Sequence, residues 1–158
     1  MFRGNFQAKV DEKGRLKIPT RFRDILRKQY GDEVYVTCFS TKGEYLRVYP
    51  LSVWQRIEQS LSRIPLTEPA RQPFEDAVSY YGLESKMDPQ GRVLVSQILR
   101  QTSQVEGQEV CVLGKGNFLE VWRLAAFKQR LRRTPSTNKT LHRLSQYPVW
   151  DDGGEQKT

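Results

Sequence analysis

The chain is short of the groups that most enzymes and secreted domains depend on. Its 158 residues include two cysteines and one histidine. Neither Cys38 nor Cys111 has a second Cys or a His at ligand spacing, which excludes a disulfide framework and a thiolate metal site. Both fall inside β-like runs, residues 34–39 and 110–113, where a thiol packs as a small apolar group. His142 stands in a polar stretch, so no His-based triad can be assembled. There is no G-x-x-x-x-G-K-[ST] loop, and Gly114-Lys115-Gly116 reads as a hairpin turn. No apolar run approaches the length of a bilayer, and residues 1–6 carry no apolar core of an export signal. These absences lead us to expect a cytoplasmic protein with reduced thiols. They also predict no catalysis, metal, cofactor, membrane or small-molecule substrate.

Acidic residues are scarce too. Lys and Arg number 26 against 18 Asp and Glu, a formal net charge of +8. Residues 1–32 hold nine cations (Arg3, Lys9, Lys13, Arg15, Lys17, Arg21, Arg23, Arg27 and Lys28) against Asp11, Glu12, Asp24 and Asp32. Like charges gathered in this way repel unless a polyanion neutralises them, which points to nucleic acid. A solvated basic face is the plainer alternative. Hydrophobic residues make up 37% of the chain, enough for a packed core.

The chain contains an internal repeat. Asp11-Glu12-Lys13-Gly14-Arg15-Leu16-Lys17-Ile18 returns 77 positions later as Asp88-Pro89-Gln90-Gly91-Arg92-Val93-Leu94-Val95, and Arg23 and Arg100 keep the same spacing. Glu33-Val34-Tyr35-Val36 answers to Glu109-Val110-Cys111-Val112. Tyr45-Leu46-Arg47-Val48-Tyr49 answers to Phe118-Leu119-Glu120-Val121-Trp122, and Trp54 to Phe127.

Each copy reads as strand, tight turn, strand, short helix, hairpin and helix. Residues 5–10 and 15–18 alternate apolar and polar, the period of a half-buried strand. Between them Asp11 and Gly14 suit a type I turn followed by a left-handed residue, a hairpin with a G1 bulge. Asp88 and Gly91 repeat the pattern, with Pro89 at a favoured turn position. Thr20 is placed to cap a helix carrying Phe22, Ile25 and Leu26. Residues 34–39 and 43–49 make the second hairpin, and Ser52-x-x-Gln55 fits a capping box before Trp54, Ile57 and Leu61. Pro65, Pro69 and Pro73 mark a linker near 64–73, followed by a connecting helix over 74–81. Leu124, Phe127 and Leu131 lie at helical spacing over 124–133, and residues 151–158 are expected to be disordered. Neither half alone buries enough, so we expect one β-rich barrel or sandwich built from both around a pseudo-twofold axis.

Met1-Phe2-Arg3-Gly4, Asp11-Glu12-Lys13-Gly14-Arg15-Leu16-x-Ile18-Pro19, Tyr49-Pro50-Leu51-x-x-Trp54 and Met87-Asp88-x-x-Gly91-Arg92, with Leu99-Arg100-Gln101 beyond, resemble the MraZ family. Those proteins are bacterial transcriptional regulators of the division and cell wall gene cluster, and the resemblance covers residues 1–133. It implies a mainly β fold with short helices, an AbrB-like swapped-hairpin β-barrel made within one chain by two repeats. The AbrB-like units would be 5–53 and 82–126, with helices and a Pro-rich linker at 54–81 and a helix end and tail at 127–158. It further implies assembly into a ring-shaped homo-oligomer and a nucleoid location. The expected target is double-stranded DNA at short direct repeats in the family's own promoter. The motif arginine used for DNA maps to Arg15 and Arg92.

The chemistry of the residues runs the same way. The planar fork of Arg15 can grip guanine O6 and N7 together. Lys9, Lys13, Lys17 and Arg21 suit phosphates, and backbone N–H groups near Gly14 could add to that contact. The alternative for Arg15 is a salt bridge to Asp11 that steadies the turn, and the two roles can coexist. Lys13 and Lys17 become Gln90 and Leu94 in the second copy, which weakens the case for an equal role of Arg92. Tyr49, Trp54, Trp122 and Phe127 repeat between halves and read as core or subunit contacts. Two other functions stay open, an antitoxin-type protein-interaction module and an RNA binder.

Overall fold

The computed structural model describes residues 1–134 and 137–147. Residues Met1–Phe127 form one compact unit and Lys128–Thr158 a second. The first repeat runs β1 (Phe2–Lys9), β2 (Arg15–Lys17), α1 (Thr20–Gln29), β3 (Glu33–Thr37), β4 (Leu46–Pro50) and α2 (Leu51–Ser62). After α3 (Arg71–Tyr80) the order returns as β5 (Leu83–Lys86), β6 (Arg92–Leu94), α4 (Gln97–Ser103), β7 (Glu109–Gly116), β8 (Leu119–Arg123) and α5 (Leu124–Arg133). The last element, α6 (Asn138–Ser145), lies in the second unit, with Leu141 and Leu144 exposed. The expected disordered stretch, 151–158, falls outside the described residues. Among the described residues no helix is long and apolar enough to cross a membrane.

Six antiparallel strands form one sheet in the order β1-β7-β8-β4-β3-β5, and β2 pairs with β6 in a separate ribbon. Exchanging each strand for its counterpart in the other repeat reverses the sheet order onto itself. The pseudo-twofold axis therefore passes between β4 and β8, where Arg47 faces Glu120. The same exchange maps the ribbon onto itself about the Leu16–Val93 pair. This is the AbrB-like swapped hairpin: each turn is a hairpin turn, but the strands that leave it separate. β1 pairs with β7 along all eight of its residues, and past the Val10–Leu16 bridge β2 goes over to β6. Burial explains the separation, because pairing β2 with β6 turns Leu16 and Val93 together into the core. The ribbon thus spans from edge strand β1 to edge strand β5, although ladder bonds do not run unbroken around the barrel.

The main core lies between the inner face of the sheet, the ribbon and α1 and α4. It gathers Val34, Val36, Leu46, Val48, Val110, Val112, Leu119 and Val121 with Leu16, Phe22, Leu26, Val93 and Leu99. On the outer face α2 and α3 cover β3 and β4 through Tyr49, Val53, Trp54 and Val78. Trp54 stacks on Tyr35 at 4.6 Å, and the Val78 carbonyl accepts hydrogen bonds from Tyr35 Oη and Thr37 Oγ1, each at 2.8 Å. Phe127 meets Trp122 at 5.9 Å.

Several local expectations need correction. Thr20 and Ser52 cap nothing, because α1 and α2 start one residue after Pro19 and Pro50, which occupy the N-cap positions without a side-chain bond. Proline fits there, since its fixed φ leads into the helix and the first N–H groups have no intrahelical partner. Pro73 lies in the first turn of α3, which begins at Arg71, so the linker is shorter than its prolines imply. Gly114 and Lys115 are not a turn but the end of β7, paired with Gly4 and Arg3, whereas Gly116, at φ +88°, leads into the β7/β8 hairpin that Lys115 N closes on Phe118 O at 2.9 Å. A Cβ on Gly114 would run into the Arg3 backbone, so glycine serves here to let two strands approach.

Candidate nucleic-acid interface

The first turn is organised by Asp11. Its backbone closes both hairpin bonds, Gly14 N to Asp11 O at 3.0 Å and Asp11 N to Arg15 O at 2.9 Å. Gly14 sits at φ +82°, the left-handed position that follows a type I turn. The Asp11 side chain accepts from the N–H groups of Lys13 and Arg15 through Oδ1, at 3.0 and 2.9 Å. Through Oδ2 it takes Arg15 Nε at 2.9 Å. Desolvation works against the Asp11 carboxylate, yet these bonds and the Arg15 charge outweigh it and hold the group below its ordinary pKa. The expectation that N–H groups around Gly14 meet a phosphate fails here, because those of residues 13, 14 and 15 are all spent on Asp11. The pair engages Arg15 through Nε. Among the described residues no hydrogen bond occupies its two terminal amino groups, which are the ones a guanine edge would take.

The second turn repeats this geometry. Asp88 accepts from Gln90 N at 2.9 Å, and from Arg92 N and Arg92 Nε at 2.8 Å each. The Arg92 hydrogen bonds lower its pKa. Each turn is locked to the other repeat: Ile18 N donates to Gly91 O at 2.8 Å and Val95 N to Gly14 O at 2.9 Å. The support beneath the two turns differs. On α4, Arg100 lies against Gly14, leaving no room for a Cβ, and its Nη1 bonds Val95 O at 2.6 Å. On α1, Arg23 lies against Gly91 and donates to Gln90 O at 3.2 Å. Arg27 adds bonds to the Asp88 and Pro89 carbonyls at 3.1 and 3.2 Å. Gln104 stands where a second copy of Arg27 would be. The second turn is therefore held by two arginines and the first by one.

β2 and β6 bring the site residues together. With Leu16 and Val93 facing inward, the outer face of the ribbon carries Arg15 opposite Leu94 and Lys17 opposite Arg92. Lys13 is exposed at the tip of the first turn and Arg21 on the first turn of α1. Lys9 stands at the end of β1 opposite Glu109 and lines one cavity with Lys17. Arg23, Arg27 and Arg100 are residues that motif reading left without a role. The 77-residue spacing of Arg23 and Arg100 was the available signal. Among the described residues no cluster of three or more His, Cys, Asp or Glu gathers to hold a metal ion.

A family model described as "MraZ protein, putative antitoxin-like" matches residues 1–76 and 83–145. The chain belongs to the MraZ family. A protein named transcriptional regulator MraZ from Acidobacterium capsulatum is 44% identical over 147 residues, 93% of this chain and 99% of its own. Another of that name, from Koribacter versatilis, is 38% identical over 92% of this chain and 97% of its own. A solution structure of PHS018 from Pyrococcus horikoshii covers 77% of this chain and 88% of its own at 16% identity. Its TM-score of 0.34 is too low to bear on the fold.

Proposed function

We propose that the chain is a sequence-specific regulator of transcription that binds duplex DNA with the outer face of the β2/β6 ribbon. The observation that carries this reading is that two repeats contribute Arg15, Lys17 and Arg92 to one exposed face in consecutive register. A two-stranded ribbon fits the major groove. Arg15 is the base-reading residue, aimed by Asp11 with its terminal amino groups turned to the guanine edge. Lys13, Lys17 and Arg21 neutralise phosphates, with Lys9 at the margin. Arg92 contributes less, because its turn holds fewer cations and is tied down from α1. The repeat division 5–53 and 82–126, with 54–81 between and 127–158 after, belongs to this reading, as does a cytoplasmic, nucleoid-associated location.

One ribbon offers few contacts, so affinity must come from multiplicity. A ring-shaped homo-oligomer presenting the ribbon several times would favour direct repeats in its own promoter. An apolar groove lined by Ile57, Leu61, Ile64 and Phe74, with Leu66 82% exposed nearby, supports contact between copies. The test is a mobility shift on DNA upstream of the gene, with one repeat and with several, at two salt concentrations, alongside single-stranded RNA. Expected is a preference for multiple duplex repeats and an affinity that falls steeply with salt. Equal binding to one and several repeats would overturn the multivalent part, and salt-independent binding the ribbon itself.

A further inference from the structure

We infer that Leu94 reads the methyl group of a thymine beside the base pair that Arg15 contacts. The inference rests on the ribbon as the DNA-binding face and names what one of its four outer positions recognises. Those positions form a two-by-two patch, Arg15 with Leu94 and Lys17 with Arg92. Three are cations and the fourth is a leucine with 43% of its surface open to solvent. Its backbone is fixed, with Leu94 N bonded to Ser85 Oγ at 3.0 Å, so the side chain has a defined place on the face.

The contrast with Lys17 gives the leucine its meaning. The two residues are equivalent under the pseudo-twofold axis, each opposite the motif arginine of the other repeat, so the difference lies in side-chain chemistry. A lysine there extends to a phosphate, whereas an aliphatic group gains nothing from phosphate oxygens or from the polar edges of guanine, cytosine or adenine. In the major groove the one apolar feature is the thymine C5 methyl. Paired strands lie about 4.8 Å apart and successive base pairs about 3.4 Å. With Arg15 on one base pair, Leu94 therefore falls over the next. The two strands of the ribbon thus differ, the β2 side presenting Lys13, Arg15 and Lys17 and the β6 side Gln90, Arg92 and Leu94. A site read by it has a direction even though the backbone beneath is nearly symmetric.

The experiment replaces each thymine of the protected site, one at a time, with deoxyuridine, which pairs identically and lacks only the methyl. Wild type is expected to lose roughly three- to tenfold in affinity at one position per repeat, the scale of one buried methyl. Leu94→Ala is expected to bind the thymine and deoxyuridine duplexes equally. So is Leu94→Lys, which also steepens the salt dependence by about one ion because it restores the Lys17 chemistry. Indifference of wild type to every substitution, or a full penalty retained in Leu94→Ala, would overturn the assignment of Leu94 while leaving the ribbon as the DNA-binding face. Failure of wild type to bind any duplex would overturn both.

Discussion

Arg100 lies directly against Gly14, so a helix of the second repeat forms the floor beneath the turn of the first. Arg23 and Gly91 reproduce the relationship in the opposite sense. The candidate contact turns are thus properties of the pair of repeats. A turn of four residues, which alone would be mobile, gains a fixed support from across the pseudo-twofold axis.

Removing that support should act on DNA binding before it acts on folding. Arg100→Ala leaves a gap under the turn that carries Arg15, and a loss of tenfold or more in affinity is expected with a small change in melting temperature. Arg23→Ala, although it removes the bond to Gln90 O, should cost less affinity because it loosens the minor turn. Gly14→Ala should do both kinds of damage, since φ +82° is strained for alanine and its Cβ meets Arg100. About 1–3 kcal/mol of stability is expected to go with it. Thermal melts beside mobility shifts separate the two effects, and equal affinity losses for Arg100→Ala and Arg23→Ala would contradict unequal turns.

Arg15→Ala and Arg92→Ala compare the two turns at the level of contact. A bidentate arginine–guanine pair is worth about 1–3 kcal/mol of discrimination. Arg15→Ala should therefore abolish specific binding while circular dichroism stays unchanged. Arg92→Ala should weaken it by less. Unfolding of Arg15→Ala would mean that the ion pair with Asp11 matters chiefly to the fold.

The lysines should be visible in the salt dependence. Each phosphate contact contributes about one ion to the slope of log affinity against log salt. Lys13→Ala and Lys17→Ala are each expected to lower the slope by about one. Lys9→Ala should lower it less, because Glu109 stands opposite in the β1/β7 ladder. Titrations between low and moderate salt measure this, and an equal effect from Lys9 would extend the face along β1.

Much of this arrangement was legible before the structure, and the reasons are local. Asp11, Gly14 and Arg15 with their copies encode a turn through short-range chemistry, so the motif betrays the repeat. The exchange of partners was not readable from these residues alone, because the alternation in 5–10 and 15–18 fits a simple hairpin as well as a swapped one. Only the burial of Leu16 against Val93, 77 positions away, decides between them. For the same reason the spacing of Arg23 and Arg100 was visible while their role was not. Gly114 looked like part of the turn that Gly116 opens, because glycine marks both turns and close strand approaches.

Acid should unfasten both turns together. Hydrogen bonds hold Asp11 and Asp88 below their ordinary pKa of 3.8. A lowered folded-state value means that ionisation stabilises the fold. That contribution is fully present above about pH 4 and is lost as pH falls through the lowered value. Melting temperature should drop across that acid window. The doubly substituted Asp11→Asn, Asp88→Asn protein should start lower at neutral pH and show a shallower acid limb. Asparagine keeps the acceptor for the turn N–H groups and gives up the charge on the arginine. An acid limb identical to wild type would place the responsible carboxylates elsewhere.

At the axis the two repeats meet through unlike residues. Arg47 and Glu120 are counterparts in β4 and β8, and a symmetric pairing of identical residues there would oppose like charges. The chain instead sets Arg47 Nε 3.1 Å from Glu120 Oε2, with side-chain exposures of 22% and 9%. Glu120 also accepts from Trp122 Nε1 at 2.8 Å, and the Arg47 guanidinium lies over the rings of Phe39 and Phe118 at 4.3 and 4.8 Å. Glu120→Leu removes the partner of a cation already enclosed by aromatic rings, and should destabilise by about 2–4 kcal/mol, discounted for the residual exposure of Arg47. Arg47→Met should cost less, because the rings can close on a thioether. Combining the changes as Arg47→Met, Glu120→Leu should recover part of the loss, since no charge then remains unpaired. Denaturant melts of the three variants give the coupling, and strictly additive losses would mean that the axis is held by packing rather than by the ion pair.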